Sequence, residues 1–155
     1  MLHFAEYLSP VGKLLLRSNT QALTGLWIGR EGSCTEEDEI LRKAKLWLNG
    51  YFRGENRSVD FPLAPEGTEF QKLIWSLLRE IPYGEKRTYG DLAKEAALRL
   101  GKEKMSAQAV GQAVGSNPIS ILIPCHRVVG AKGKLTGYAW GIDKKQWLLA
   151  HEAEN

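Results

Sequence analysis

The sequence predicts an α+β protein: a small N-terminal α/β domain with antiparallel strands over residues 1–66, then a mainly helical C-terminal domain over residues 67–155. Three observations carry this. Between Leu2 and Ile28, short apolar runs are broken by turn residues, the pattern of a strand meander. From Thr68 to Gly115, apolar residues recur at helical spacing behind Ser or Thr starts. Between these stretches, Arg53 to Gly67, with Pro62 and Pro65, follows neither period and reads as a linker.

In the first part, Ser9-Pro10-Val11-Gly12 is a turn between strands at Phe4–Leu8 and Lys13–Arg17. Ala22 to Ile28 is a third strand, ending at Gly29. Glu36-Glu37-Asp38-Glu39 opens a helix, since acidic side chains complement the positive end of the helix dipole. Ile40, Ala44, Trp47, Leu48 and Tyr51 follow at helical spacing and read as core packing, with Gly50 and Gly54 marking the helix end.

In the second part, Thr68-Glu69-Phe70-Gln71 is a capping box. Phe70, Leu73, Ile74, Leu77 and Leu78 form one helical face that stops before Pro82. Thr88 caps the next helix, with Asp91 bonding back and Leu92, Ala96 and Leu100 continuing it. Ser106 caps a third helix, Ala107 to about Gly115. These last two helices, joined by a short connector, have the helix-turn-helix pattern. The third helix is built of small residues: Ala107, Ala109, Gly111, Ala113 and Gly115. They serve either tight helix packing or close approach to another surface.

Composition excludes several classes. The chain has 155 residues, 43% hydrophobic and 25% charged, as in a soluble globular protein. No apolar run approaches the roughly 20 residues of a membrane span, and no secretory signal is visible. Two cysteines, Cys34 and Cys125, make no disulfide framework, which fits an intracellular, cytoplasmic setting. No cofactor motif or metal-ligand spacing is present. Residues 1–66 hold 8 Lys+Arg against 9 Asp+Glu, and residues 67–155 hold 13 against 9, so the excess positive charge lies in the second part and suits a polyanion.

The stretch Asn117-Pro118-Ile119-Ser120-Ile121-Leu122-Ile123-Pro124-Cys125-His126-Arg127 organises the rest. Its apolar run reads as a buried strand ended by Pro124, which seats Cys125 on a stiff bend. A free cysteine is commonly a small buried hydrophobe. A neighbouring imidazole and guanidinium favour the thiolate, yet side chains adjacent in sequence often point apart.

Pro124-Cys125-His126-Arg127-Val128 resembles the acceptor motif of the O6-alkylguanine-DNA alkyltransferases, the methylated-DNA–protein-cysteine methyltransferases. Gly115-Ser116-Asn117-Pro118, Gly137-Tyr138-Ala139-Trp140-Gly141 and Trp147-Leu148-Leu149-Ala150-His151-Glu152 fit in the same order. The resemblance is dense from about Thr68 to Glu152 and weak before that. It implies a winged-helix-like C-terminal domain whose third helix enters the DNA minor groove, where small residues permit close contact. The implied partner is double-stranded DNA carrying O6-alkylguanine, with O4-alkylthymine as a further substrate, bound by a monomer without cofactor.

The implied chemistry is base flipping followed by alkyl transfer. Cys125 is the acceptor thiolate, His126 takes its proton through water, and Glu152 orients His126. Tyr89 donates toward guanine N3, and Asn117 holds the turn before the cysteine loop. Tyr138 closes over the base, and the carbonyls of Cys125 and Val128 read its amine. Ala107, Gln108, Arg127 and Trp140 are the further contacts to DNA or base. The thioether has no visible route of release, which implies one turnover per molecule.

Three departures stand out. Gln108 occupies the place where many relatives carry an intercalating arginine, so flipping is expected to be weaker. The connector Ala97 to Lys104 is long. Trp140 is bulky on the pocket loop and disfavours large adducts. Three alternatives differ in what they require. A non-catalytic lesion-binding module of the same fold lacks the acceptor cysteine, a hydrolase on Cys125 and His126 needs an oxyanion hole, and a plain regulator needs side chains that reach base edges.

Overall fold

A computed structural model describes residues 1–155. The order of elements is β1 (His3–Ser9), β2 (Gly12–Ser18), β3 (Leu23–Ile28), α1 (Glu39–Phe52), α2 (Glu69–Arg79), β4 (Arg87–Thr88), α3 (Tyr89–Leu100), α4 (Ala107–Gly115), β5 (Val128–Val129) and α5 (Ile142–Glu154). The architecture is α+β, as expected. β1, β2 and β3 form one antiparallel sheet in sequence order, and β4 and β5 form a short parallel pair.

Local chemistry accounts for the helix starts. Asp38 accepts the Leu41 N–H and caps α1. The Thr68/Gln71 and Thr88/Asp91 capping boxes both close reciprocally. Ser106 accepts the Ala109 N–H and starts α4. α1 runs through Gly50 to Phe52, past the glycine expected to end it. α3 continues to Leu100 and stops at Gly101, whose φ of 67° is the left-handed cap conformation. The connector to α4 is therefore shorter than the Ala97–Lys104 read from sequence. α3 and α4 pack on each other in the helix-turn-helix manner.

Two expectations need correction. The segment Arg53–Gly67 is tied down in part: Phe61 is buried, and the Leu23 backbone bonds the Pro62 carbonyl and the Ala64 N–H. Ile119–Ile123 is buried but is not a strand. Only Ile119 bridges Leu26 of β3, and the rest turns. Ile121 has φ of 71°, a left-handed conformation costly for a β-branched residue. An apolar run alone signals burial, whichever way the chain bends.

One apolar core of 32 residues extends from the sheet through α1 and α2 to the Cys125 segment, so both parts share a single interior. No helix is long and apolar enough to cross a membrane.

Candidate active site

Cys125 begins a single 3-10 turn, Cys125–Arg127, directly after Pro124. The approach is held by Asn117. Its Nδ2 donates to the Ile123 carbonyl at 2.7 Å and its Oδ1 accepts the Ile119 N–H at 3.0 Å. One side chain thus pins both ends of the strained bend. Cys125 is buried except where it lines a pocket of about 470 Å³. The walls come from Tyr89 of α3, Gly111 and Val114 of α4, Asn117 and Ser120, and the loop Thr136–Trp140.

The loop is braced from both sides. Trp140 donates its indole N–H to Ser120 Oγ at 2.7 Å. Lys145 of α5 is buried, donates to the Thr136 carbonyl at 3.2 Å and lies 6.0 Å from the Tyr89 ring centroid. The Tyr138 hydroxyl is buried beside the Cys125 sulfur yet makes no hydrogen bond of good geometry.

Behind the turn lies a second layer, closed to the pocket. His126 Nε2 meets Glu152 Oε2 at 2.6 Å. Arg127 donates Nε and Nη2 to the same carboxylate at 2.8 and 3.0 Å, and Nη1 to the Ile81 carbonyl at 2.7 Å. The Gly84 N–H at 3.3 Å and the Tyr51 hydroxyl at 2.6 Å complete the shell of Glu152. Burial pushes the Glu152 carboxyl up, but the bonds from His126 and Arg127 prevail and hold it well below the usual carboxylate range. Burial lowers His126 against the pull of Glu152, so the imidazole is neutral at pH 7. A neutral imidazole facing a carboxylate carries its proton on Nε2, which leaves Nδ1 as a free base. Nδ1 is buried and has no hydrogen-bond partner. Burial raises the Cys125 thiol, opposed by Asn117, Tyr138 and Lys145.

The sequence-predicted residues thus divide. Cys125, Asn117, Tyr89, Tyr138 and Trp140 meet at the pocket. His126 and Glu152 meet behind it. Arg127 was expected among the DNA contacts, but its guanidinium is spent inside the protein on Glu152 and Ile81. The Val128 side chain is fully buried in β5 and does not line the pocket. Ala107 and Gln108 are exposed at the start of α4, whose opposite face buries Val110, Ala113 and Val114. The small residues of α4 divide: Ala113 lies against α2, where its carbonyl accepts the Trp75 indole N–H, while Ala107 and Gly115 are exposed on the outer face. Sequence reasoning missed Ser120, Lys145 and Tyr51. Tyr51 was read as packing alone, although a buried tyrosine hydroxyl needs a partner. No group of three or more His, Cys, Asp or Glu is placed to hold a metal ion.

Comparison with known proteins finds relatives along nearly the whole chain. Residues 2–65 match the 6-O-methylguanine DNA methyltransferase, ribonuclease-like domain, and residues 69–154 match the 6-O-methylguanine DNA methyltransferase, DNA binding domain. The methylated-DNA–protein-cysteine methyltransferase of Methanosarcina acetivorans is 48% identical over 158 residues, covering 97% of this chain and 98% of the relative. The protein of the same name from Haemophilus influenzae is 44% identical, covering 97% and 86%. The structure of Mycobacterium tuberculosis OGT in complex with DNA aligns with a TM-score of 0.86 at 41% identity, covering 98% of this chain and 93% of that one. With a matched family over both parts and near-full-length relatives of one enzyme class, this chain belongs to the 6-O-methylguanine DNA methyltransferase family and is a methylated-DNA–protein-cysteine S-methyltransferase.

Proposed function

We propose that the chain repairs O6-alkylguanine, and O4-alkylthymine, in duplex DNA by flipping the modified base into the pocket and moving its alkyl group irreversibly onto Cys125. The observation that carries this reading is the placement of the Cys125 sulfur in a pocket, backed by a neutral histidine with a free Nδ1. His126 Nδ1 accepts the thiol proton, through water. The thiolate attacks the alkyl carbon in line, the S–C bond forms and the C–O6 bond breaks. The leaving guanine takes a proton from Tyr89 at N3, and the imidazolium releases the former thiol proton to solvent, from which the tyrosinate is reprotonated. His126 and Tyr89 both return to neutral, and the proton lost by the thiol is the one gained by guanine. Tyr138, beside the sulfur, closes over the base, and the Cys125 and Val128 carbonyls read its amine.

The exposed start of α4, with Ala107 and Gln108, enters the minor groove and Gln108 fills the space left by the base. The DNA complex of the M. tuberculosis relative supports DNA as the partner. A thioether is stable and no second thiol faces the site, since Cys34 is exposed elsewhere. Each molecule therefore reacts once, as an intracellular monomer, and residues 67–155 carry the reacting and DNA-contacting groups.

Intact mass after mixing with excess duplex carrying one O6-methylguanine tests this. A gain of about 14 Da on Cys125, stopping at one per molecule, is expected. Lesion-selective binding without mass gain would replace it with a non-catalytic lesion-binding module.

A further inference from the structure

Glu152 is bonded more heavily than an orienting carboxylate requires. Five donors converge on its two oxygens, and Oε2 alone receives His126 Nε2 at 2.6 Å, Arg127 Nη2 at 3.0 Å and the Tyr51 hydroxyl at 2.6 Å. Tyr51 comes from α1, in the other part of the chain. It is 1% exposed, and a phenylalanine would fill the same space without the bond. Its hydroxyl also has a comparator in the same cluster. Tyr83 packs edge-on against Tyr51, centroids 6.1 Å apart, yet its hydroxyl is buried without a partner.

Donors that share one oxygen compete for its charge. The bond from Tyr51 reduces what Oε2 offers to His126 Nε2–H. That offer matters when His126 takes the thiol proton, because the bond to the carboxylate then becomes charge-assisted and strengthens. We infer that Tyr51 is a positioning residue which, through Glu152 Oε2, sets the proton affinity of His126 and so the pH at which Cys125 becomes a thiolate. This rests on the reading of Cys125 and His126 given above. The groups that face His126 are Glu152 and Lys145 from α5 and Arg127 from its own turn. Tyr51 and Tyr83 complete the set around Glu152. Among them only Tyr51 shares the histidine's oxygen from outside the Cys125–Arg127 turn. The part of the protein without the nucleophile therefore tunes it.

The test uses the full chain without DNA. Cys125 is alkylated with iodoacetamide across a pH series, and its peptide is quantified apart from that of Cys34. In Tyr51→Phe, Oε2 holds His126 more tightly, the imidazolium is favoured, and the midpoint of Cys125 reaction falls by about 0.5–1 pH unit. Tyr83→Phe leaves the midpoint in place. A 3-fluorotyrosine at position 51, a stronger donor of the same shape, moves it up. An unchanged or raised midpoint in Tyr51→Phe overturns the inference, as does an equal shift in Tyr83→Phe. Should Tyr51→Phe fail to fold, the fluorotyrosine protein decides, and an unmoved midpoint there overturns it equally. Methyl transfer from O6-methylguanine duplex is scored separately on wild type. Failure there removes the repair reading and leaves the thiol titration to be judged alone.

Discussion

The two sides of the Cys125–Arg127 turn are built on opposite rules. The interior side is saturated at its ion pair: Glu152 takes five donors, and every guanidinium nitrogen of Arg127 has a partner, with the Tyr83 hydroxyl and His126 Nδ1 left out. The pocket side is left wanting. The Tyr138 and Thr136 hydroxyls of the pocket loop are buried polar atoms without partners, and the thiol is held neutral by burial. Unmet hydrogen bonds are costly. Here they are placed where a reacting base and a proton would meet them, and the saturated layer keeps them there.

Removing the nucleophile should separate the two sides most sharply. Cys125→Ala is expected to lose all methyl transfer while keeping its fold and its binding to O6-methylguanine duplex, read by mass and by gel shift. Loss of binding as well would mean that the pocket side is structural. Next in size is Glu152→Gln, which leaves Arg127 as an uncompensated buried charge. It should cost about 3–5 kcal/mol in urea unfolding. A change near zero would show that the interior side is not the rigid one. Asn117→Ala sits where the sides join and strips partners from Ile119 N–H and the Ile123 carbonyl. A loss of about 2 kcal/mol is expected, with slower transfer because the bend at Ile121 relaxes.

Trp140→Gly acts on the pocket side alone. It should speed reaction with free O6-benzylguanine about tenfold, equivalent to roughly 1.4 kcal/mol of barrier, with little change for O6-methylguanine. The smallest effect is on pH dependence of stability. Burial lowers His126 from its ordinary value of 6.5, so the unfolded chain takes the proton first as pH falls. Its contribution is whole above about pH 6.5 and is lost as pH falls toward the folded value. Tm should decline from pH 7.5 to 5.5, and His126→Asn should flatten that decline.

Much of the architecture was legible because it rests on local chemistry. Caps at Thr68, Thr88 and Ser106 and the turn at Pro10 are short-range signals. The residues that meet at the pocket were legible through the resemblance that the linked motifs around Cys125 carry. What stayed hidden depends on long-range placement. Ile119–Ile123 has the composition of a strand, and what makes it turn is the Ile123 N–H bond to the Ile119 carbonyl together with the two bonds of Asn117, six residues or fewer away but unannounced by the apolar pattern. Arg127 looks like a DNA contact until α5 brings Glu152 to it, 25 residues on. Tyr51 sits in an ordinary apolar stripe, and nothing local records that its hydroxyl meets a carboxylate 101 residues away.

The bridge between Leu26 and Ile119 has a consequence for how the chain is made. Leu26 of β3 gives its N–H to the Pro118 carbonyl and its carbonyl to the Ser120 N–H. The outer edge of the first-synthesised sheet is thus completed by residues that leave the ribosome some ninety positions later. Until then only the Leu23 end of that edge is covered, by Pro62 and Ala64, and the Leu26 end is a bare template for pairing with another chain. Closure of so long a loop is slow, and newborn protein is most exposed to aggregation in the interval before the cysteine segment arrives.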